Sequence, residues 1–206
     1  MTRLLIVRHG ETAWNDQARY QGHTDVPLSP RGWSEAECLA RRLANESIDA
    51  IYASDLTRAG DTARVIASRL GITPVVEPQL REIRLGEWQG LSYAEVRRRY
   101  FTERDPLPVY PVDSPPRGGE CLRELQARLV AAVERIAARH PEQCVLVVTH
   151  GACLKVLLCA WLKIELASHA RLRFDSGSIT EVYLHPYGVA VTRVNDTMHL
   201  REKVIA

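Results

Sequence analysis

The chain has 206 residues, 46% hydrophobic and 25% charged, and its 27 basic and 25 acidic residues leave a net charge of +2. That composition is ordinary for a globular protein and excludes a disordered chain, a collagen or a coiled coil, while the length suits one domain, residues 1–206, with room for an insertion. So balanced a charge also excludes a dedicated nucleic-acid binder, and any anion site must be local.

In chain order, Leu4-Leu5-Ile6-Val7 is a continuous apolar run suited to a strand buried on both faces. It stops at Arg8-His9-Gly10-Glu11-Thr12. Ser29 followed by Pro30 starts a helix, with Trp33, Ala36, Leu39, Ala40 and Leu43 at inward spacing. Ile48 to Ala53 reads as a second strand, Arg58 to Leu70 as a helix, and Thr73 to Val76 as a third strand. Residues 91–118 break the alternation, because five prolines fall between Pro106 and Pro116. Ser92 to Tyr100 reads there as a helix and the remainder as a long surface loop. Leu122, Leu125, Leu129, Val133 and Ile136 mark a long amphipathic helix ending near Pro141. Cys144 to Val148 is another buried strand, Ala152 to Leu162 a helix, and Ile179–Leu184 with Val189–Val194 a closing hairpin.

No run approaches the ~18 apolar residues of a membrane span, since Lys155 and Lys163 interrupt the longest. The first apolar run is too short for a signal-peptide core, so a cytoplasmic protein is expected. The five cysteines (Cys38, Cys121, Cys144, Cys153, Cys159) show no CxxC spacing and read as buried free thiols. Alternating strands and helices predict an α/β fold of three layers, α/β/α, with a largely parallel central sheet.

In such folds ligands collect beyond the carboxyl ends of the strands. Two strands here run into His-Gly, at His9-Gly10 and His150-Gly151. Guanidinium groups from Arg8 and Arg58 match phosphate oxygens. One imidazole can attack phosphorus while the other, protonated, holds the transferring charge. The leaving oxygen needs an acid, for which Glu82 is the candidate and Glu11 the rival. Neither GxGxxG nor GxxxxGK[ST] occurs, and the histidines lack metal-ligand spacing, so no cofactor and no metal is expected.

Arg8-His9-Gly10-Glu11-Thr12 with Asn15, Gln21-Gly22, Ser54-Asp55-Leu56 with Arg58-Ala59, Leu80-Arg81-Glu82-Ile83, Gly118-Gly119-Glu120, Thr149-His150-Gly151 and Asn195-Asp196 resemble, in order, the landmarks of the histidine phosphatase superfamily. The resemblance is to its phosphoglycerate mutase-like branch, closest in pattern to broad-specificity and α-ribazole phosphatases. It implies that His9 is the nucleophile, that Glu82 is the proton donor, and that Arg8, Asn15, Arg58 and His150 hold the phosphoryl group. Gln21, Gly22 and Gly151 are further candidates for the phosphate pocket. It also implies a lid, residues 91–118, with Tyr93, Arg97, Phe101, Tyr110 and Arg117 as candidates to touch substrate or to pack the lid down.

Two physical demands follow. The ring nitrogen of His9 that does not attack should donate to a backbone carbonyl. Glu82 should be held partly protonated by burial or by a second carboxylate. Asp61 and Cys121 depart from the family's usual residues. The expected reaction is hydrolysis of a small phosphomonoester, α-ribazole 5′-phosphate being the specific candidate. The alternatives are a cofactor-dependent phosphoglycerate mutase and an inactive phosphate-binding scaffold. The partners expected are that small molecule and at most a second copy, as a homodimer, with neither nucleic acid nor membrane.

Overall fold

A computed structural model describes residues 1–102 and 110–201 of the chain. Six strands form one sheet: β1 (Thr2–Arg8), β2 (Ala50–Ala53), β3 (Val75–Val76), β4 (Cys144–Thr149), β5 (Ile179–His185) and β6 (Gly188–Asp196), in the order β3-β2-β4-β1-β5-β6. The first three pairings in that order are parallel, and β5 and β6 join as an antiparallel edge. The layers follow from side-chain alternation along the strands. Leu4, Ile6, Val145 and Val147 face α5 (Leu122–Arg139) and α6 (Gly151–Trp161), while Leu5, Val7, Leu146 and Val148 face α2 (Pro30–Leu43) and α3 (Thr57–Leu70). This is the expected three-layer α/β/α arrangement. Two short helices complete it, α1 (Ala13–Asp16) and α4 (Tyr93–Tyr100).

The helix starts follow local chemistry. The Ser29 hydroxyl accepts from the Gly32 amide, and Ser92 and Glu95 cap α4 reciprocally. The Cys121 thiol does the same work: Sγ accepts from the Glu124 amide while the Glu124 carboxylate accepts from the Cys121 amide.

Three expectations need correction. Trp33 is exposed, not inward. The first turn of α2 packs through Gly32 instead, whose backbone lies so close to the Glu11 carbonyl that a Cβ there would collide. The next residue is rotated into solvent. The second strand begins at Ala50, because the Asp49 carboxylate turns aside to accept from the Cys144 amide. The third strand shrinks to Val75–Val76 at the sheet edge, where Pro74 has no amide hydrogen to pair.

All five cysteines are buried and free. Among the described residues no helix is long and apolar enough to cross a membrane. Of the loop expected after Tyr100, residues 103–109, with Pro106 and Pro108, lie outside the described residues.

Candidate active site

Register places the site. Arg8 pairs with Thr149 across the adjacent parallel strands β1 and β4, so His9 and His150 leave the sheet side by side. The His9 amide still donates to the Thr149 carbonyl at 3.0 Å. Neighbouring strands lie ~4.8 Å apart. The two ring centroids are accordingly 5.1 Å apart, with the rings tilted by 61°. The rings therefore meet edge to face, not face to face. β2, next to β4, leads into α3 and supplies Arg58. The loop after β3 carries Glu82 back over the strand ends.

His9 is held through one ring nitrogen. Its Nδ1 donates to the Gly10 carbonyl at 2.7 Å, leaving Nε2 as the nitrogen with a lone pair. Burial first, then the charges of Arg58 and Arg8, hold its pKa well below 6.5. His150 is held down by burial, Arg58 and His9. Burial first, and the guanidinium groups after it, thus favour the neutral form of both rings, against the protonated second imidazole expected from sequence.

Arg58 is fully buried and donates to the carbonyls of Gly22, at 2.8 Å, and Thr24, at 3.0 Å. Gly22 holds that position with a φ of +55°, and a Cβ there would stand 2.5 Å from the Gln89 side chain. Arg8 donates to the Phe174 carbonyl at 2.6 Å. Arg8 Nε, Arg58 Nε, both nitrogens of His150 and the Gln21 side-chain oxygen are buried with no hydrogen-bond partner in the protein. Buried polar groups are normally satisfied, so this convergence marks a site shaped for a polar guest. Asn15 caps α1 through Oδ1, which accepts from the Thr12 amide and hydroxyl. Its amide group belongs to the same cavity wall.

Glu82 is half-buried. One carboxylate oxygen accepts from its neighbour Ile83, at 2.9 Å, and the other from the Ala152 amide, at 3.3 Å, in the first turn of α6. The rival Glu11 is committed elsewhere, accepting from Ser29 and facing Arg31.

The cavity measures about 560 Å³ and is lined by all of the expected residues, Arg8, His9, Asn15, Gln21, Gly22, Arg58, Glu82 and Gly151, except His150, which lies buried behind His9. Of the candidates in segment 91–118, Tyr93 and Tyr110 line it. Arg97, Phe101 and Arg117 do not. Phe101 packs on Trp88 instead, with centroids 5.8 Å apart.

Sequence reasoning missed four residues here: His23, Arg128, Lys155 and His169. His23 Nε2 donates to the Glu82 carbonyl at 2.8 Å. Arg128, from α5, donates to the carbonyls of Gln79, Arg81 and Glu82 at 2.7 to 2.9 Å and pairs with Glu120 at 2.6 Å. Glu120 in turn accepts from the Arg84 amide. The backbone that carries Glu82 is thus gripped from behind by one buried ion pair. No local signal announces this, because α5 lies about 46 residues from the loop it holds. Arg128→Met should cost about 3–5 kcal/mol by stranding the Glu120 carboxylate. It should also lower kcat about 100-fold by loosening Glu82. Urea denaturation and steady-state kinetics check both, and the double variant with Glu120→Gln should recover part of the stability.

The buried neutral histidines also set a pH dependence. In the unfolded chain they titrate near pH ~6.5. In the fold His9 and His150 resist protonation. Below that pH the unfolded state binds more protons, so stability falls on acidification by up to about 1.4 kcal/mol per pH unit for each ring. Urea midpoints between pH 7.5 and 5.5 should show this loss, and His150→Gln should flatten it.

The family model for the histidine phosphatase superfamily (branch 1) matches residues 4–197. The chain is 33% identical over 202 residues to phosphoserine phosphatase 1 of Hydrogenobacter thermophilus, covering 98% of this chain and 96% of that one. Its fold superposes on a mycobacterial glucosyl-3-phosphoglycerate phosphatase solved with VO3, with TM-score 0.85, 31% identity, and 95% and 98% of the two chains covered. It also superposes, with TM-score 0.81, 25% identity, and 95% and 96% covered, on an Escherichia coli protein provisionally named an α-ribazole-5′-phosphate phosphatase. The chain belongs to the histidine phosphatase superfamily, in the phosphoglycerate mutase-like branch expected from its motifs. Membership, with phosphoserine phosphatases among the relatives, makes it a phosphoric monoester hydrolase.

Proposed function

We propose that the chain hydrolyses small phosphomonoesters through a phosphohistidine formed on His9. The observation that carries this reading is the meeting of His9 and His150 at 5.1 Å beside two buried guanidinium groups with unpaired Nε donors. In this reading the phosphoryl oxygens accept from Arg8, Arg58, His150 and the amide of Asn15. Gln21 and Gly151 complete the wall. Residues 91–118 serve as the lid of a single domain.

His9 Nε2 attacks phosphorus as the ester P–O bond breaks, and Glu82, in its acid form, gives its proton to the leaving oxygen. Glu82 then takes a proton from water, whose oxygen attacks the phosphoryl group. The P–N bond breaks, inorganic phosphate leaves, and both side chains return to their starting forms. His150 enters as a neutral N–H donor. The arriving phosphate dianion offsets the arginine charge and raises the affinity of the ring for a proton, so the imidazolium expected from sequence belongs to the loaded site.

The relatives' names make O-phosphoserine and glucosyl-3-phosphoglycerate the first substrates to test. α-Ribazole 5′-phosphate has the motif pattern and one provisionally named neighbour behind it. The Glu82-Ile83-Arg84-Leu85-Gly86 run favours hydrolysis over a mutase, which shares the pocket but returns the phosphoryl group to substrate. Incubation with 3-phosphoglycerate and 2,3-bisphosphoglycerate separates them. Free phosphate should outpace 2-phosphoglycerate. The reverse makes the chain a mutase, and silence on every phosphomonoester, with phosphate still bound, makes it a scaffold.

A further inference from the structure

Five cations line the cavity: Arg8, Arg19, Arg58, Lys155 and Arg173. Arg19 faces Glu95 at 3.8 Å, and Arg173 faces Asp175 at 2.8 Å. Arg8 and Arg58 donate to backbone carbonyls around the two histidines. Lys155 differs from all of them. Among the described residues its ammonium has neither a carboxylate within ion-pair distance nor a carbonyl to donate to. It is half-buried nonetheless, and burial holds its pKa down, with Glu82 opposing that effect and Arg8 adding to it. A half-buried ammonium without a protein partner is open to an anionic ligand.

Its place on the helix explains where it points. Lys155 follows Gly151 by four residues and Ala152 by three, so it shares their face of α6, and all three line the cavity. The turn Leu166–Arg171 packs on α6 and brings His169 to the same cavity. That ring is buried, and its Nδ1 donates to the Leu166 carbonyl at 3.0 Å, which leaves Nε2 as an acceptor. Burial and the charge of Lys155 hold the ring neutral. The apolar lining of the cavity includes Leu122, Leu172 and Phe174.

We propose that Lys155 and His169 form a second subsite that selects phosphomonoesters of hydroxy acids, Lys155 taking the carboxylate and His169 accepting from a neighbouring hydroxyl or ammonium. The charge decides the class. One ammonium beside a neutral acceptor balances a monoanion. A second phosphate dianion needs the density of donors that Arg8 and Arg58 supply at the other end. An uncharged sugar or base would leave the half-buried ammonium without a partner. The inference rests on the cavity being a phosphomonoesterase site.

A matched pair of substrates tests it. 3-Phosphoglycerate and glycerol 3-phosphate share their carbon chain and phosphate and differ in one end, carboxylate against hydroxymethyl. Wild-type protein should prefer 3-phosphoglycerate in kcat/KM. Lys155→Met should lower that preference by about 10- to 100-fold, the range of a charge-assisted hydrogen bond. The loss should fall mainly on KM, and Lys155→Arg should restore most of it. His169→Phe should reduce the preference less, since its partner is a neutral hydroxyl. Two results overturn the proposal: a wild-type protein with no preference for the carboxylate, or an equal loss on both substrates in Lys155→Met, which would assign Lys155 to Glu82. Failure of the catalytic reading is distinct, for then wild-type protein leaves p-nitrophenyl phosphate and both esters untouched.

Discussion

His9→Ala is expected to reduce turnover of any phosphomonoester by about 10⁴-fold or more, since it removes the atom that forms the covalent intermediate. The size of the effect follows from how few alternatives the site holds. His150 is the imidazole beside it, but it emerges from the neighbouring strand and does not line the cavity. Glu82 is tied to two backbone amides. The phosphate cradle is untouched by the change, so the affinity for inorganic phosphate should stay within about tenfold while turnover collapses. Rate and affinity measured together distinguish loss of a nucleophile from loss of the pocket. A variant that lost both in proportion would place His9 among the binding groups only.

Arg58→Met carries the second large effect. Arg58 is fully buried, its guanidinium is fixed by two carbonyls, and its Nε has no partner in the protein. Such a preorganised charge in a dry site is worth about 10²–10³ in rate for each donor it presents to the transition state. Arg58 Nε is one such donor, and a loss of about 10²–10³-fold in kcat/KM is expected. The same change has a spectroscopic consequence. The charge of Arg58 ranks next after burial in holding both His9 and His150 below the ordinary histidine range. Without it both rings should titrate at higher pH, which imidazole NMR shifts read directly. An unchanged titration would show that burial alone sets their protonation.

What was legible in the sequence, and what was not, divides along physical lines. Continuous apolar runs gave β1 and β4, because a strand buried on both faces has no polar positions to confuse the pattern. His9 and His150 were legible for the same reason, since the residue after a buried parallel strand has one direction in which to go. Trp33 misled, because helical spacing records where a side chain sits around the axis but not whether a neighbouring glycine has already brought the helix into contact. β3 misled because apolar content does not separate an interior strand from an edge one.

The grip of Arg128 on the Glu82 loop had no local signal. A guanidinium that serves backbone carbonyls reads no differently, in sequence, from one in solvent. Lys155 was within reach. It lies one helical turn beyond His150-Gly151 on the same face, although in the sequence it stands out only as an interruption of an apolar run. Glu82 combines the two cases. Its place after the third strand was readable, whereas the contact of its carboxylate with the first turn of α6 depends on how the loop is folded back.

The most direct test is to trap the intermediate. The protein is mixed with a phosphomonoester for one turnover, quenched in alkali, where phosphohistidine survives, and digested for mass spectrometry. One phosphoryl group on the His9 ring is predicted, lost again on mild acid treatment and missing from His9→Ala. A phosphoryl group on any other residue, or none at all during full turnover, contradicts the account.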